Sequence, residues 1–109
     1  MNLMSKSKIF TAFESLNPLL QIWKSSNNTI VFTNGCFDLI HHGHIDSLEK
    51  SAMLGTKLIV GLNSDKSVKI LKGKGRPILD EKARAKVLAA FECVDAVIIF
   101  SEETPAEII

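Results

Sequence analysis

This sequence has few cysteines, almost no excess of one charge over the other and no long apolar run. Each of these features excludes a class of protein. The two cysteines, Cys36 and Cys93, are too few for a disulfide scaffold, so a reduced, cytoplasmic setting is expected. The formal net charge of +1 gives no overall attraction to nucleic acid or to a membrane surface. No apolar run approaches the ~20 residues that span a bilayer, and the first residues do not follow the pattern of a signal peptide.

The composition is that of an ordinary globular chain. The 109 residues are 46% hydrophobic and 23% charged, which argues against disorder. This length allows one domain with a real core, but it is short for a complete doubly wound fold.

The N-terminal segment, residues 1–28, has apolar residues at helical spacing. These residues are Ile9, Phe10, Phe13, Leu16, Leu19, Leu20 and Trp23. Asn17 and Pro18 interrupt the pattern, because asparagine caps helices well and proline is tolerated at the first helical position. The segment therefore predicts two short helices that pack on the domain, with residues 25–28 as the loop that follows.

From residue 29 onward, strand and helix patterns alternate. Apolar runs predict strands at residues 29–33, 57–62 and 95–100. The intervening patterns predict a helix over 45–54 that ends at Gly55 as its C′ residue, and a helix that Asp80 caps. A turn is predicted at 63–65, followed by a basic, glycine-bearing stretch at 66–76, which in isolation is typical of a solvated loop. The alternation predicts an α/β fold with a parallel sheet and right-handed crossovers.

The three predicted strands make one half of a doubly wound sheet. In such a sheet, ligands bind at the switch point beyond the carboxyl ends of the strands. The sequence ends at Ile109, inside a helical pattern that begins after Pro105. We therefore expect residues 29–109 to be an incomplete copy of the domain.

Residues 34–44 connect the first of these strands to the following helix and carry two glycines and three histidines. Free backbone N–H groups and the dipole of a helix N-terminus attract anions, and glycine lets a ligand approach the backbone closely. His41 and His44 are three residues apart and would project from one side of a helical first turn. Two imidazoles there can donate hydrogen bonds to charge that develops on phosphorus.

Other interpretations of these side chains remain open at this point. Cys36, His41 and His44 could bind zinc, but the spacing is unusual and no fourth ligand lies nearby in sequence. Cys36 could also be a nucleophile, although nothing indicates an acyl substrate. His42 is expected to face solvent.

The residues that carry this chemistry also carry a family resemblance. Residues 33–44, Thr-Asn-Gly-Cys-Phe-Asp-Leu-Ile-His-His-Gly-His, resemble the signature of the nucleotidyltransferase superfamily, in which a His-x-Gly-His motif follows the first strand of a Rossmann-like sheet. Further segments narrow the resemblance to the heptose 1-phosphate adenylyltransferase domain. These segments are residues 58–65, 71–73, Arg76-Pro77, Arg84, Val94-Asp95 and 103–105.

The resemblance implies transfer of AMP from ATP to heptose 1-phosphate with release of pyrophosphate, for ADP-heptose and lipopolysaccharide core synthesis. His41, His44 and Lys72 would be catalytic, contacting the nucleotide phosphates. Asp38 would order the loop or meet the substrate, and Asp65 would close the neighbouring strand. Mg²⁺ would travel mainly on the triphosphate. The residues expected to bind the nucleotide are Thr33, Asn34, Gly35, Cys36, Phe37, Gly43 and Arg84.

Two alternatives to this function stay open from the sequence. A cytidylyltransferase acting on a phosphorylated alcohol such as glycerol 3-phosphate would use the same chemistry, and the family's base-reading segments have no counterpart in the 109 residues. A non-catalytic nucleotide-binding fragment is the second alternative. The partners expected are ATP and a sugar 1-phosphate, without nucleic acid or membrane. A homodimer, an accompanying kinase domain and the stereochemistry of the acceptor are not decided.

Overall fold

The computed structural model describes residues 7–101, which contain four strands and four helices. In chain order these are β1 (Ile9–Phe10), α1 (Phe13–Ser25), β2 (Ile30–Gly35), α2 (His42–Ala52), β3 (Lys57–Asn63), α3 (Asp65–Lys72), α4 (Glu81–Ala89) and β4 (Ala96–Phe100). The helix predicted after Pro105 lies outside the described residues. No helix among residues 7–101 is both long enough and apolar enough to cross a membrane.

The strands form one parallel sheet in the order β1-β4-β3-β2. This confirms the predicted α/β fold with a parallel sheet and flanking helices. Because β3 and β4 are paired on both sides, nearly all of their residues are buried. Within the described residues β2 is an edge strand, and its carboxyl end leads into the histidine-bearing segment.

The prediction of two N-terminal helices was wrong. Ile9 and Phe10 form a strand that pairs with β4, so the sheet has four strands rather than three. A single helix, α1, then runs through Pro18. Leu16 and Leu20 of this helix are buried against the sheet, and this packing outweighs the hydrogen bond that proline removes. The division of the chain at residue 28 stays a prediction.

Two local expectations around the helices were also wrong. Gly55 does not end α2 in a left-handed conformation: the helix ends at Ala52, with Met53 as its C-cap. A Cβ at Gly55 would lie 2.6 Å from the carbonyl oxygen of Thr29, so glycine is needed there for close packing.

The basic stretch at 66–76 is not all loop, because most of it forms α3. The Ser64 hydroxyl caps this helix by accepting from the Ser67 N–H, and Ser67 and Val68 are buried against the sheet. Asp80 caps α4 as predicted, accepting from the Ala83 N–H at 2.7 Å.

Candidate active site

His41 and His44, the imidazole pair, cap the N-terminus of α2. His41 is the N-cap residue, and its Nδ1 accepts a hydrogen bond of 3.0 Å from the Gly43 N–H. In return, Nδ1 of His44 accepts one of 3.1 Å from the His41 N–H. A Cβ at Gly43 would lie 2.8 Å from Cε1 of His41, so a larger residue would displace the capping ring. The motif therefore folds into a reciprocal capping box built from imidazoles.

This capping changes where the site's hydrogen-bond donors lie. The sequence suggested free backbone N–H groups at the helix end, but the N–H groups of Gly43 and His44 already bond to His41. A neutral imidazole that accepts at Nδ1 carries its proton on Nε2. Since the two ring centroids are 4.1 Å apart, the pair presents two neighbouring Nε2–H donors. These ring donors take the place of the expected backbone donors.

The environment of His44 favours its neutral form. Burial, and then the positive charge that His41 can carry, lower the pKa of His44 below its ordinary value. Protonation at Nδ1 would also break the bond that this atom accepts from the His41 N–H. His42, between the two, is exposed, as expected.

The loop between β2 and α2 carries two residues with left-handed backbone. Phe37 has φ 48° and Leu39 has φ 69°, conformations that cost free energy for residues other than glycine. Phe37 is nevertheless fixed, because its buried ring packs over Gly35 and lies 5.4 Å from the His44 ring. Thr33 and Asn34 lie in the last half of β2, paired with Val60 and Gly61 of β3. The predicted nucleotide-lining residues 33–37 thus lead directly to the imidazole pair.

Asp38 joins this loop to the segment before α4. Its carboxylate accepts from Arg76 Nε at 2.6 Å and from the N–H groups of Ile78 and Leu79. The side chain is 1% exposed. Burial alone raises the pKa of Asp38, but the two amides and the Arg76 guanidinium outweigh it and hold that pKa below its ordinary value. Asp38 is therefore a buried, ionised anchor between two loops.

We expect Asp38→Asn to destabilise the fold by about 2 kcal/mol at pH 7, because an amide group would face donors that now meet a carboxylate. The pKa of Asp38 is lower in the folded chain, so the unfolded chain binds more protons as the pH falls to about 4 and below. The free energy of unfolding of the wild type should therefore decrease as the pH falls over that range. The free energy of unfolding of the variant should depend less on pH there. Urea unfolding from pH 7 to pH 3 measures both effects. If the free energy of unfolding of the two proteins depended on pH in the same way, Asp38 would not be the ionised anchor described here.

Arg84, which the resemblance assigns to nucleotide binding, lies in the interior of the fold, and that role stays a prediction. Its side chain is fully buried rather than open to phosphate. Nη1 donates to the carbonyl oxygens of Cys36 and Asn63, Nη2 donates to Asp65 Oδ1 at 2.7 Å, and Nε donates to the carbonyl of Leu79. Four of its five N–H donors are thus occupied by protein acceptors. Arg84 instead joins the loop after β2, the end of β3 and the segment before α4.

Lys72 and the carboxylates of the described residues do not form a phosphate-binding or metal-binding cluster next to the imidazole pair in this structure. Lys72 is the last residue of α3 and is exposed, and its predicted role at the phosphates stays a prediction. Within residues 7–101 no three His, Cys, Asp or Glu side chains are placed to hold a metal ion. Asp38 and one oxygen of Asp65 are already bound by arginines. That Mg²⁺ travels with the triphosphate stays a prediction.

Sequence reasoning missed three residues that support the site. Arg76 binds Asp38, the Asn63 carbonyl accepts from Arg84, and Glu81 Oε1 accepts from the Asp65 N–H at 2.8 Å. A buried aspartate requires a cationic or N–H partner. Had Asp38 been predicted to be buried, a basic partner would have been expected elsewhere in the chain. Which residue supplies it depends on contacts across 38 positions of the chain and has no local signal.

Comparisons with known proteins found a matching family profile and similar sequences. A family profile described as cytidylyltransferase-like matches residues 32–109. The chain is 57% identical over 96 residues to the Bifunctional protein HldE of Campylobacter jejuni subsp. jejuni serotype O:2, covering 88% of this chain and 21% of that protein. It is 51% identical over 108 residues to the Bifunctional protein HldE of Rhodopseudomonas palustris, covering 99% and 22%. The chain thus spans about a fifth of the length of these relatives.

A solved structure is similar as well. The chain matches the crystal structure of the lipopolysaccharide core biosynthesis protein from Thermoplasma volcanium with a TM-score of 0.68 and 30% sequence identity. The match covers 73% of this chain and 64% of the other.

Proposed function

Because the chain belongs to the cytidylyltransferase-like family of nucleotidyltransferases, we propose that it transfers AMP from ATP to a sugar 1-phosphate, heptose 1-phosphate. The names of the relatives support the choice of acceptor, because they include Bifunctional protein HldE and a lipopolysaccharide core biosynthesis protein. The reaction would serve ADP-heptose and lipopolysaccharide core synthesis in the cytoplasm. The observation that carries the proposal is the imidazole pair, which presents two Nε2–H donors beside the carboxyl end of β2.

The chemistry requires no covalent intermediate with the protein. A phosphate oxygen of the sugar 1-phosphate attacks the α-phosphorus of ATP, and the bond from that phosphorus to the bridging oxygen of pyrophosphate breaks. Negative charge increases on the oxygens around the α-phosphorus during this step. His41 and His44 would stabilise that charge through Nε2–H hydrogen bonds.

The support for these donors is already fixed in the fold. Each Nδ1 atom is held by a backbone N–H, so neither ring can turn away without losing a cap. Holding the donors before the substrate arrives reduces the reorganisation needed in the transition state. Gly43 allows the His41 ring to lie across the first turn, and Phe37 packs beside the His44 ring.

Pyrophosphate release tests the proposal. The chain is incubated with Mg²⁺ and either ATP or CTP, together with heptose 1-phosphate or glycerol 3-phosphate. Release with ATP and heptose 1-phosphate alone supports the proposed function, whereas release only with CTP and glycerol 3-phosphate replaces it with a cytidylyltransferase. Nucleotide binding without release in any combination would leave the chain a non-catalytic nucleotide-binding unit.

We expect turnover to fall as the pH drops through the lowered pKa of His44, because His44 must stay neutral at Nδ1 to keep both its cap and its Nε2–H orientation. The pKa of His44 is lower in the folded chain than in the unfolded chain. Its contribution to stability is therefore complete above about 6.5 and is lost as the pH falls through the folded value. A pH profile of kcat/KM, with NMR titration of the ring protons, measures the effect. A His44 pKa at or above the ordinary histidine value of about 6.5 would contradict it.

A further inference from the structure

A cavity of about 390 Å³ opens at the carboxyl ends of β1, β3 and β4. This volume lies within the range of roughly 300–1,000 Å³ that is typical of small-molecule sites. All four strands are parallel, so the cavity lies at the same edge of the sheet as the loop that leads to the imidazole pair. Its walls come from the start of α1, the ends of β3 and β4, and the start of α4. Its lining includes Thr11, Phe13, Glu14, Ser64, Glu81 and Phe100.

We propose that this cavity binds the hydroxyl-bearing end of the sugar phosphate acceptor, an inference that rests on the proposed transfer to a sugar 1-phosphate. Hydroxyl groups of a sugar donate to carboxylates and exchange hydrogen bonds with hydroxyl side chains, and Glu14, Thr11 and Ser64 supply such partners. The Phe13 and Phe100 side chains add apolar surface for the C–H faces of the sugar ring. This mixture of a few polar groups and apolar walls is typical of sites for small polar ligands.

The charges in the cavity determine which end of the acceptor enters it. Glu14 and Glu81 are both acidic, and the Glu81 carboxylate is held in place by the Asp65 N–H at 2.8 Å. A phosphate group would be repelled there, whereas uncharged hydroxyls would be bound. The imidazole pair and the positive end of the α2 dipole offer the opposite environment. The acceptor would therefore lie with its hydroxyls in the cavity and its phosphate towards the rings.

The sheet geometry allows one ligand to reach both places. β3 alone separates β4 from β2, so the ends of β2 and β4 lie about 10 Å apart at the ordinary strand spacing. A sugar 1-phosphate carries its phosphate at one end and its distal hydroxyls at the other. Its length is of the order of that separation. An acceptor of that length could reach from the cavity to the end of β2, where the loop to the imidazole pair begins.

Methyl NMR of isoleucine-labelled full chain tests the location directly. Ile99 lines the cavity, whereas Ile22 is exposed on α1 and does not line it. We expect heptose 1-phosphate to shift the Ile99 methyl signal and to leave Ile22 unchanged, and we expect ATP alone to leave Ile99 nearly unchanged. Absence of an Ile99 shift with heptose 1-phosphate overturns the assignment. A shift caused by ATP alone also overturns it, because the cavity would then hold the nucleotide.

Kinetics of two variants test the named side chains. Thr11→Val and Glu14→Gln should each raise KM for heptose 1-phosphate about tenfold, the effect of losing one or two hydrogen bonds, while KM for ATP and kcat change little. Glu92→Gln, an exposed carboxylate between α4 and β4, is the matched control and should change neither KM. Unchanged acceptor KM in both cavity variants overturns the assignment. Binding of heptose 1-phosphate at Ile99 without any pyrophosphate release would instead refute the proposed function and leave the cavity assignment standing.

Discussion

His41→Ala and His44→Ala are each expected to lower kcat by about 10²–10³-fold, the effect of removing one preorganised donor from a charged transition state. Each substitution also removes half of the cap of α2, so stability should fall by about 1 kcal/mol. Pyrophosphate release measures the first effect and urea unfolding the second. The loss of stability is too small to explain the loss of activity, because most of each variant stays folded at this cost.

The capping role makes a sharper control available. His41→Ser keeps a side-chain oxygen that can cap the helix, and His44→Gln keeps the long acceptor preferred at the third helical position. Both should recover stability without recovering activity, because the serine hydroxyl is too short to reach the position of the ring Nε2, and the glutamine amide N–H lies on a flexible chain rather than on a ring held in place. His42→Ala, at an exposed residue between the two, should match wild type in both measurements. Normal turnover in His41→Ser and His44→Gln would make the rings structural and end the case for catalysis.

Arg84→Met should be the most destabilising single substitution considered, at about 3 kcal/mol. It leaves three carbonyl oxygens, those of Cys36, Asn63 and Leu79, without the donors they now have. In a domain of this size the midpoint of thermal unfolding should fall by roughly 10 °C or more. Calorimetry or circular dichroism against temperature provides the measurement.

Arg84→Lys separates charge from geometry at this position. A lysine keeps the positive charge, but it has no planar fork to reach acceptors from three segments at once, so it should recover only part of the loss. Lys86→Met removes an exposed charge from the same helix and should stay within about 0.5 kcal/mol of wild type. If Arg84→Met were as stable as this control, the buried hydrogen bonds would contribute nothing to the fold.

The alternation of strands and helices was predictable because it depends on residues that are close together in the sequence. The runs that form β2, β3 and β4 are apolar and β-branched, and Asp80 marks the start of α4 by a side chain that caps helices well. β1 was not predictable in the same way. Its two residues fit helical spacing as well as strand, and only their pairing with Val97 and Ile98 decides between the two.

In the candidate site, too, a feature that depends on neighbouring residues was predicted, and a feature that depends on distant contacts was not. The spacing of His41 and His44 placed both rings on one side of a helical turn, and the rings are indeed adjacent. Their capping of α2 was missed, because histidine is not among the usual N-cap residues. The burial of Arg84 was missed for a different reason. An arginine in a helix ordinarily faces solvent, and its partners here lie up to 48 positions away along the chain.

The unusual backbone of Phe37 and Leu39 has a consequence for how a ligand would meet this protein. The free energy needed to hold both residues at positive φ is supplied when the chain folds, through the packing of the Phe37 ring and the anchoring of Asp38. The proposed nucleotide would therefore meet a loop that is already shaped, and would lose little affinity to ordering it. The rigidity of the loop between β2 and α2 in the free protein, rather than closure of the loop around the ligand, would then determine how tightly the nucleotide is bound.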